Sequence, residues 1–200
     1  MSFVVFVGNQ DFGLMLADKR AISYDGKIED ENANKIIRVN SNAVICTSGD
    51  VSIKQYVLKG LSNLTNIEHL SFDDVKYIIY KKLEEINSYI RLKKYKGMKS
   101  SIGIMGIKDN NIHFISLYIS YDEIKTEEKI YSDGDNGYCV VANGTTQLEK
   151  IFYKKLMDNV PCSMNDIIRI FSEILHEQSD KDISINASFD YEYIKNDRNN

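Results

Sequence analysis

Four residues in the first quarter of this 200-residue chain are of types that could share one reaction: Ser2, Asp18, Lys35 and Gly49. A serine in second position favours removal of the methionine before it. Freed in that way, Ser2 carries two useful groups on one residue. Its hydroxyl can attack a carbonyl carbon. Its own α-amine, with an unperturbed pKa of about 7.7–8.0, can take up the hydroxyl proton near neutral pH. A lysine beside such a hydroxyl favours loss of the proton electrostatically, and Lys35 opens an apolar strand-like run. Asp18 and Arg20, two apart at the end of another run, are expected on one side of it. Gly49, in Thr47-Ser48-Gly49-Asp50, falls where a strand should meet a helix. A main-chain N–H there can face an oxyanion. Each residue also has a plain alternative. Ser2 could serve only methionine removal, Asp18 and Arg20 could be an exposed ion pair, Lys35 an edge-strand charge, and Gly49 a turn glycine.

The elements that must position these residues follow from hydrophobic periodicity. Strands are predicted over residues 3–7 and 12–17, on either side of a polar turn at 8–11. A polar excursion with short strand candidates covers 21–34. Strands at 35–39 and 43–47 follow, joined by Asn40-Ser41-Asn42. Helices are predicted over 51–63 and 73–94. Ser71 caps the second, with Asp74 in a capping-box position, and Val75, Ile79, Leu83, Ile86 and Ile90 repeat at helical spacing. Runs at 101–107 and 112–120 form a hairpin across Lys108-Asp109-Asn110-Asn111. A strand at 138–142, a third helix over 146–157, a fourth from Ser163 to His176, and a strand-like stretch at 183–194 complete the chain. Strands, two helices, strands, two helices and a strand come in segregated blocks. That order argues for α+β layers rather than alternating βαβ units. With a single proline, Pro161, and no linker or repeat, one domain over 1–194 with a polar tail at 195–200 is expected.

Composition excludes several classes. A formal charge of −4 and one short basic run, at 91–99, give no concentrated face for nucleic acid. No apolar run is long enough to span a bilayer, and the start does not resemble a secretory signal. A cytoplasmic protein is expected, with the sequons at Asn63, Asn143 and Asn186 as chance matches. Cys46, Cys139 and Cys162 and the three histidines are scattered, with no zinc spacing or disulfide framework. Cys46 and Cys139 are expected as small core residues.

Taken together, Ser2, the run Gly13-Leu-Met-Leu-Ala-Asp18-Lys-Arg20, Lys35-Ile-Ile-Arg-Val-Asn40 and Ser48-Gly49 resemble proteasome β subunits and HslV peptidases. These are N-terminal-nucleophile hydrolases. The resemblance extends to the element order over nearly the whole chain. It implies a four-layer αββα sandwich of two antiparallel sheets flanked by helices. It also implies a peptidase acting through acylation of Ser2, with Asp18 holding Lys35, Lys35 tuning Ser2 and Gly49 binding the oxyanion. Arg20 would orient the Asp18 loop, and Thr145 would stand where the family places a serine near the N-terminal amine. No cofactor or metal is implied. A peptide or unfolded protein would be the substrate and a homo-oligomer the assembly, with an ATP-dependent unfoldase as candidate partner. The chain departs from the pattern in having serine for threonine, Phe3 for a small polar neighbour, and Asn143-Gly144-Thr145 for Gly-Ser-Gly. The family's Asp-Ser-x-Ser element has Asp180, Asp182 and Ser184 as its nearest counterparts. A catalytically silent scaffold or regulatory subunit and a small-molecule amidohydrolase on the same fold remain alternatives.

Overall fold

The computed structural model describes residues 2–196 except 24, 95, 96, 98, 122, 133, 144–147, 160 and 162. It is a mixed α/β fold with antiparallel sheets and four helices. The chain opens with β1 (Phe3–Asn9), β2 (Phe12–Asp18) and a small hairpin, β3 (Ala21–Ile22) with β4 (Ile28–Asp30). Next come β5 (Ile36–Asn40), β6 (Ala43–Gly49), helix α1 (Val51–Ser62), a 3₁₀ turn (Ile67–His69) and helix α2 (Phe72–Lys93). Strands β7 (Ser100–Lys108), β8 (Asn111–Ile119), β9 (Ile124–Tyr131) and β10 (Asn136–Asn143) follow. Helices α3 (Leu148–Asn159) and α4 (Met164–Gln178) lead to the last strand, β11 (Phe189–Lys195). One sheet has the order β10-β1-β2-β11, the other β5-β6-β7-β8-β9.

Local chemistry accounts for the boundaries. Asp50 caps α1 by accepting from the Ser52 N–H. The expected capping box at Ser71 and Asp74 is formed, so α2 starts at Phe72. Asp109 and Asn110 both take positive φ, at 50° and 57°, the pair of left-handed residues that a tight β7–β8 turn demands.

Among the described residues, three apolar clusters form the core. The alternation along each strand decides which cluster a residue joins. On β1, Phe3, Val5 and Val7 pack with Phe152, Phe171 and Ile174 of α3 and α4. The alternate residues Val4 and Phe6 meet Val44, Cys46, Met105 and Phe114 of the other sheet. On β6, Ala43 and Ile45 face α1 and α2, joining Ile53, Val57, Val75, Ile79 and Leu83. Cys46 and Cys139 both belong to the cluster that joins the two sheets. The rings of Phe6 and Phe114 stack there at 4.3 Å between centroids.

Two elements differ from the sequence expectation. Strand β9, Ile-Lys-Thr-Glu-Glu-Lys-Ile-Tyr, carries no apolar alternation, because it is an edge strand with most of its side chains in water. Its place comes from backbone pairing with β8. The predicted strand at 183–194 forms only from Phe189. Before it, Asp182 and Asn186 spend their side chains on turns and on neighbouring loops. On α2, Phe72 is a core residue, whereas Tyr77, Tyr89 and Leu92 are exposed. No helix among the described residues is long and apolar enough to cross a membrane.

Phe6→Ala should cost about 3–5 kcal/mol, because a fully buried ring leaves a cavity between two rigid sheets. Urea unfolding measures it; a loss under about 1 kcal/mol would mean that the sheets close over the gap.

Candidate active site

At the end of β2 the chain delivers a carboxylate into the interior. Asp18 is fully buried, and Lys35, a residue only 6 % exposed, sets its ammonium against it at 2.8 Å. Taking two charges out of water costs several kcal/mol per ion, and further hydrogen bonds must offset it. Here they do. Asp18 Oδ1 also accepts the Phe3 N–H at 2.8 Å, and Oδ2 accepts the Arg20 N–H at 3.0 Å. Lys35 Nζ donates a second bond to the Arg20 carbonyl at 2.6 Å. An ammonium has three N–H groups, so one is left for the cleft that Lys35 lines. Burial pushes the Asp18 carboxyl up, opposed by Lys35 and the two main-chain donors. Burial also pushes the Lys35 ammonium below the usual lysine range, opposed by Asp18.

Ser2 is held from the residue after it. The Phe3 N–H is tied to Asp18, and its ring stacks on Phe171 at 5.2 Å with an edge contact to Phe152 at 6.2 Å. A phenylalanine where a small polar neighbour was expected thus anchors the chain beside Ser2 in the α3–α4 core. Ser2 continues the alternation of Val4 and Phe6, the face turned toward the other sheet. It lines a cavity of about 60 Å³ together with Lys35 and Gly49.

Gly49 ends β6 with φ at +101°, and a Cβ there would lie 2.4 Å from the Lys99 carbonyl oxygen. Only glycine meets both demands. The Ser48 carbonyl accepts from Ser100 Oγ at 2.6 Å, on the β7 side. In a planar trans peptide the C=O and the following N–H point in opposite directions. The Gly49 N–H therefore points away from β7, to the side where Lys35 and Ser2 lie.

Arg20 differs from the simple ion-pair expectation. Its guanidinium bonds Glu31 at 2.9 Å and the Ile183 carbonyl at 3.3 Å, not Asp18. What it gives to Asp18 and Lys35 is its main chain. Glu31 in turn accepts from Asn186 Nδ2, so the β3–β4 hairpin, the Asp18 turn and the segment before β11 are locked together. The Lys19 N–H closes the same lock on Asn186 Oδ1 and the Ser188 carbonyl. Of the three counterparts for an acidic–serine element, Asp182 and Ser184 are buried and joined, Ser184 Oγ to Asp182 Oδ1 at 2.6 Å; Asp180 is exposed. Thr145 lies outside the described residues. A larger cleft of about 600 Å³, lined by Val7, Asn9, Tyr138, Tyr153 and Met157, opens at the far end of β1 from Ser2. Among the described residues no group of His, Cys, Asp and Glu gathers in a way that could hold a metal ion.

No family model and no curated protein sequence matches the chain. Its fold is similar to that of the eukaryotic HslV of Trypanosoma brucei in a crystal structure, with a TM-score of 0.56 at 15% identity. The match covers 96% of this chain and 99% of that one. The chain therefore has an HslV-like fold.

Asp18→Asn leaves the Lys35 ammonium buried without its counter-charge, which should cost about 3–5 kcal/mol near neutral pH. The pH dependence has a definite sign. A folded lysine with a lowered pKa binds fewer protons than the unfolded one, so stability rises with pH between the two values. Losing Asp18 lowers the Lys35 pKa further and widens that window downward. The deficit against the unmutated protein should shrink as pH is raised, seen by urea unfolding near pH 7 and near pH 9. A deficit that grows with pH would assign the loss to something other than the stranded lysine.

Proposed function

We propose that the protein is an N-terminal-serine peptidase of the proteasome and HslV type, built as a single four-layer αββα domain over 1–194. One observation carries this proposal: Ser2, Lys35 and Gly49 line one cavity, with the buried Asp18 fixed behind Lys35. In this mechanism the residue ahead of Ser2 is removed. Ser2 Oγ attacks the scissile carbonyl carbon, and its proton passes to the Ser2 α-amine. The carbonyl oxygen, now an oxyanion, accepts the Gly49 N–H. The amine then returns the proton to the leaving nitrogen as the C–N bond breaks, leaving an ester on Ser2. Water gives a proton to the same amine and attacks the ester carbon, and the amine passes that proton to Ser2 Oγ as the C–Oγ bond breaks, so the product leaves as an acid that ionises to the carboxylate and Ser2 is restored. Throughout, the Lys35 charge stabilises negative charge on Ser2 Oγ. Asp18 and the Arg20 main chain keep Lys35 in place, and the Arg20 guanidinium keeps the Asp18 turn in place. Thr145 is proposed to help hold the amine. The substrate is a peptide or unfolded protein, and the compartment is the cytoplasm.

The assembly proposed is a homo-oligomer with an enclosed active chamber, served by an ATP-dependent unfoldase. Tyr77, Tyr89 and Leu92, all exposed on α2, supply apolar surface for contacts between subunits. Sedimentation at micromolar concentration should show a species larger than one chain; a strictly monomeric chain that cleaves peptides would point to the small-molecule amidohydrolase instead.

Ser2→Ala should lower peptide hydrolysis by about 10³-fold or more with the fold intact. Lys35→Ala should do the same, and Lys35→Arg should not restore activity, because a guanidinium differs in shape and titration. Unchanged turnover in Ser2→Ala would move the chemistry elsewhere. No turnover even in the unmutated chain would favour the silent scaffold.

The pH profile of kcat/KM should be bell-shaped. Its acid limb follows protonation of the α-amine. Its alkaline limb follows loss of the Lys35 proton, which burial brings below the usual lysine range. Activity therefore falls with rising pH earlier than a free lysine would titrate. An alkaline limb at or above that range would exclude the Lys35 charge as the activating group.

A further inference from the structure

The turn Lys19-Arg20 carries two of the main-chain groups that hold the buried ion pair, yet apolar packing does little to fix it. Both residues are half-buried, and none of the described residues from 21 to 34, which follow them, is buried. Ala21, Ile22 and Ala33 of that stretch nonetheless line the cavity of Ser2, Lys35 and Gly49. Hydrogen bonds must do here what a core does elsewhere, and they converge on two side chains, Glu31 and Asn186.

Asn186 is 7 % exposed and uses its amide in both senses. Its Oδ1 accepts the Lys19 N–H at 3.2 Å. Its Nδ2 has two donors, and both acceptors they meet belong to Glu31: the main-chain carbonyl and Oε2, each at 2.9 Å. Glu31 Oε2 also accepts from Arg20 Nε at 2.9 Å, and that bond holds its carboxyl below the usual range. The Ala33 N–H adds a bond to the Lys19 carbonyl at 2.8 Å. One asparagine from the segment before β11 and one glutamate just after β4 thus grip the turn from two sides. Out of that turn the Arg20 carbonyl accepts from Lys35 Nζ at 2.6 Å.

We infer that Glu31 and Asn186 are positioning residues for the Ser2 reaction: by fixing the Lys19-Arg20 turn they keep the Arg20 carbonyl on the Lys35 ammonium. The inference rests on the proposed peptidase function. Neither side chain lines the Ser2 cavity, so both act through Arg20 and Lys35. A carbonyl that accepts from the charged lysine favours that form. Displacing it favours the neutral amine and weakens the charge that stabilises Ser2 Oγ. A misplacement of about 1 Å can cost about 10²-fold in rate. The charged groups around Lys35 are Asp18 against it, Lys54 and Asp50 along the same cavity, the proposed Ser2 α-amine, and the Arg20 guanidinium with Glu31 beyond it. Asn186→Leu alters none of these charges, so its effect on Lys35 comes from geometry.

The test combines kinetics with the titration of Lys35 in the full chain. Hydrolysis of N-acetyl-tripeptide aminocoumarin amides gives kcat and KM. The ¹³Cε resonance of Lys35, assigned by its loss in Lys35→Met, follows its proton directly. Asn186→Leu should lower kcat about 10- to 100-fold with KM nearly unchanged. It should also move the Lys35 titration, and the alkaline limb of kcat/KM, to lower pH. The Glu31 side chain is 46% exposed, so Glu31→Ala keeps the fold and should move both readouts the same way by a smaller amount. Glu31→Gln, which keeps an acceptor for Arg20 and Asn186, should recover most of that loss. Because both residues work through one turn, the double variant should lose less than the product of the single losses. A Lys35 titration or a kcat unmoved in both Asn186→Leu and Glu31→Ala would overturn the inference and leave the peptidase proposal standing. No turnover by the unmutated chain would overturn the peptidase proposal, and the Lys35 titration alone would then decide whether the two residues hold that ammonium.

Discussion

The pair formed by Lys35 and Asp18 constrains the start of this chain more than any other contact. Two opposite charges sit out of water, where each alone would be costly and together they remain costly unless their hydrogen-bonding capacity is filled. Filling it recruits the Phe3 N–H, the Arg20 N–H and the Arg20 carbonyl. The first belongs to β1, the others to the turn after β2, and Lys35 itself stands at the entrance to β5 of the other sheet. One ion pair thus sets the relation of three strands from two sheets, and Ser2 is the residue next to one of its donors.

That relation holds only because the surrounding apolar clusters make it rigid. Phe3 buries its ring between α3 and α4 while its N–H serves Asp18, so the chain beside Ser2 has little freedom. Gly49 is fixed by a different constraint. The close approach of the Lys99 carbonyl and a left-handed φ exclude every side chain, and Ser100 fixes the direction of the peptide. The site is therefore assembled from two restraints, a buried ion pair and a turn that only glycine fits, and packing elsewhere supports both.

The residues proposed to carry chemistry were the most legible part of the sequence. Ser2, Asp18, Lys35 and Gly49 stand at the ends of strongly apolar strands, and strand ends meet at one edge of a sheet. Their types announce a reaction before any contact is known. Arg20 was harder, since its contribution to the ion pair is a main-chain one that no side-chain type reveals. Strand β9 escaped notice because an edge strand in water needs no apolar alternation, and the segment before β11 because its apolar residues alternate with side chains that make turns. Asp182 and Ser184 could be singled out over Asp180 only once burial was known. The order of strand and helix blocks along the chain, by contrast, was plain from periodicity alone.

The central claim is that Ser2 is a reactive nucleophile with a free amine. Intact-mass analysis of the full chain, before and after a serine-reactive covalent peptidase inhibitor, tests it most directly. The account predicts a chain that begins at Ser2 and gains one inhibitor mass, mapped by fragmentation to Ser2, with no gain in Lys35→Ala. A chain that keeps a residue ahead of Ser2, or one that begins at Ser2 and is never labelled there, would contradict it.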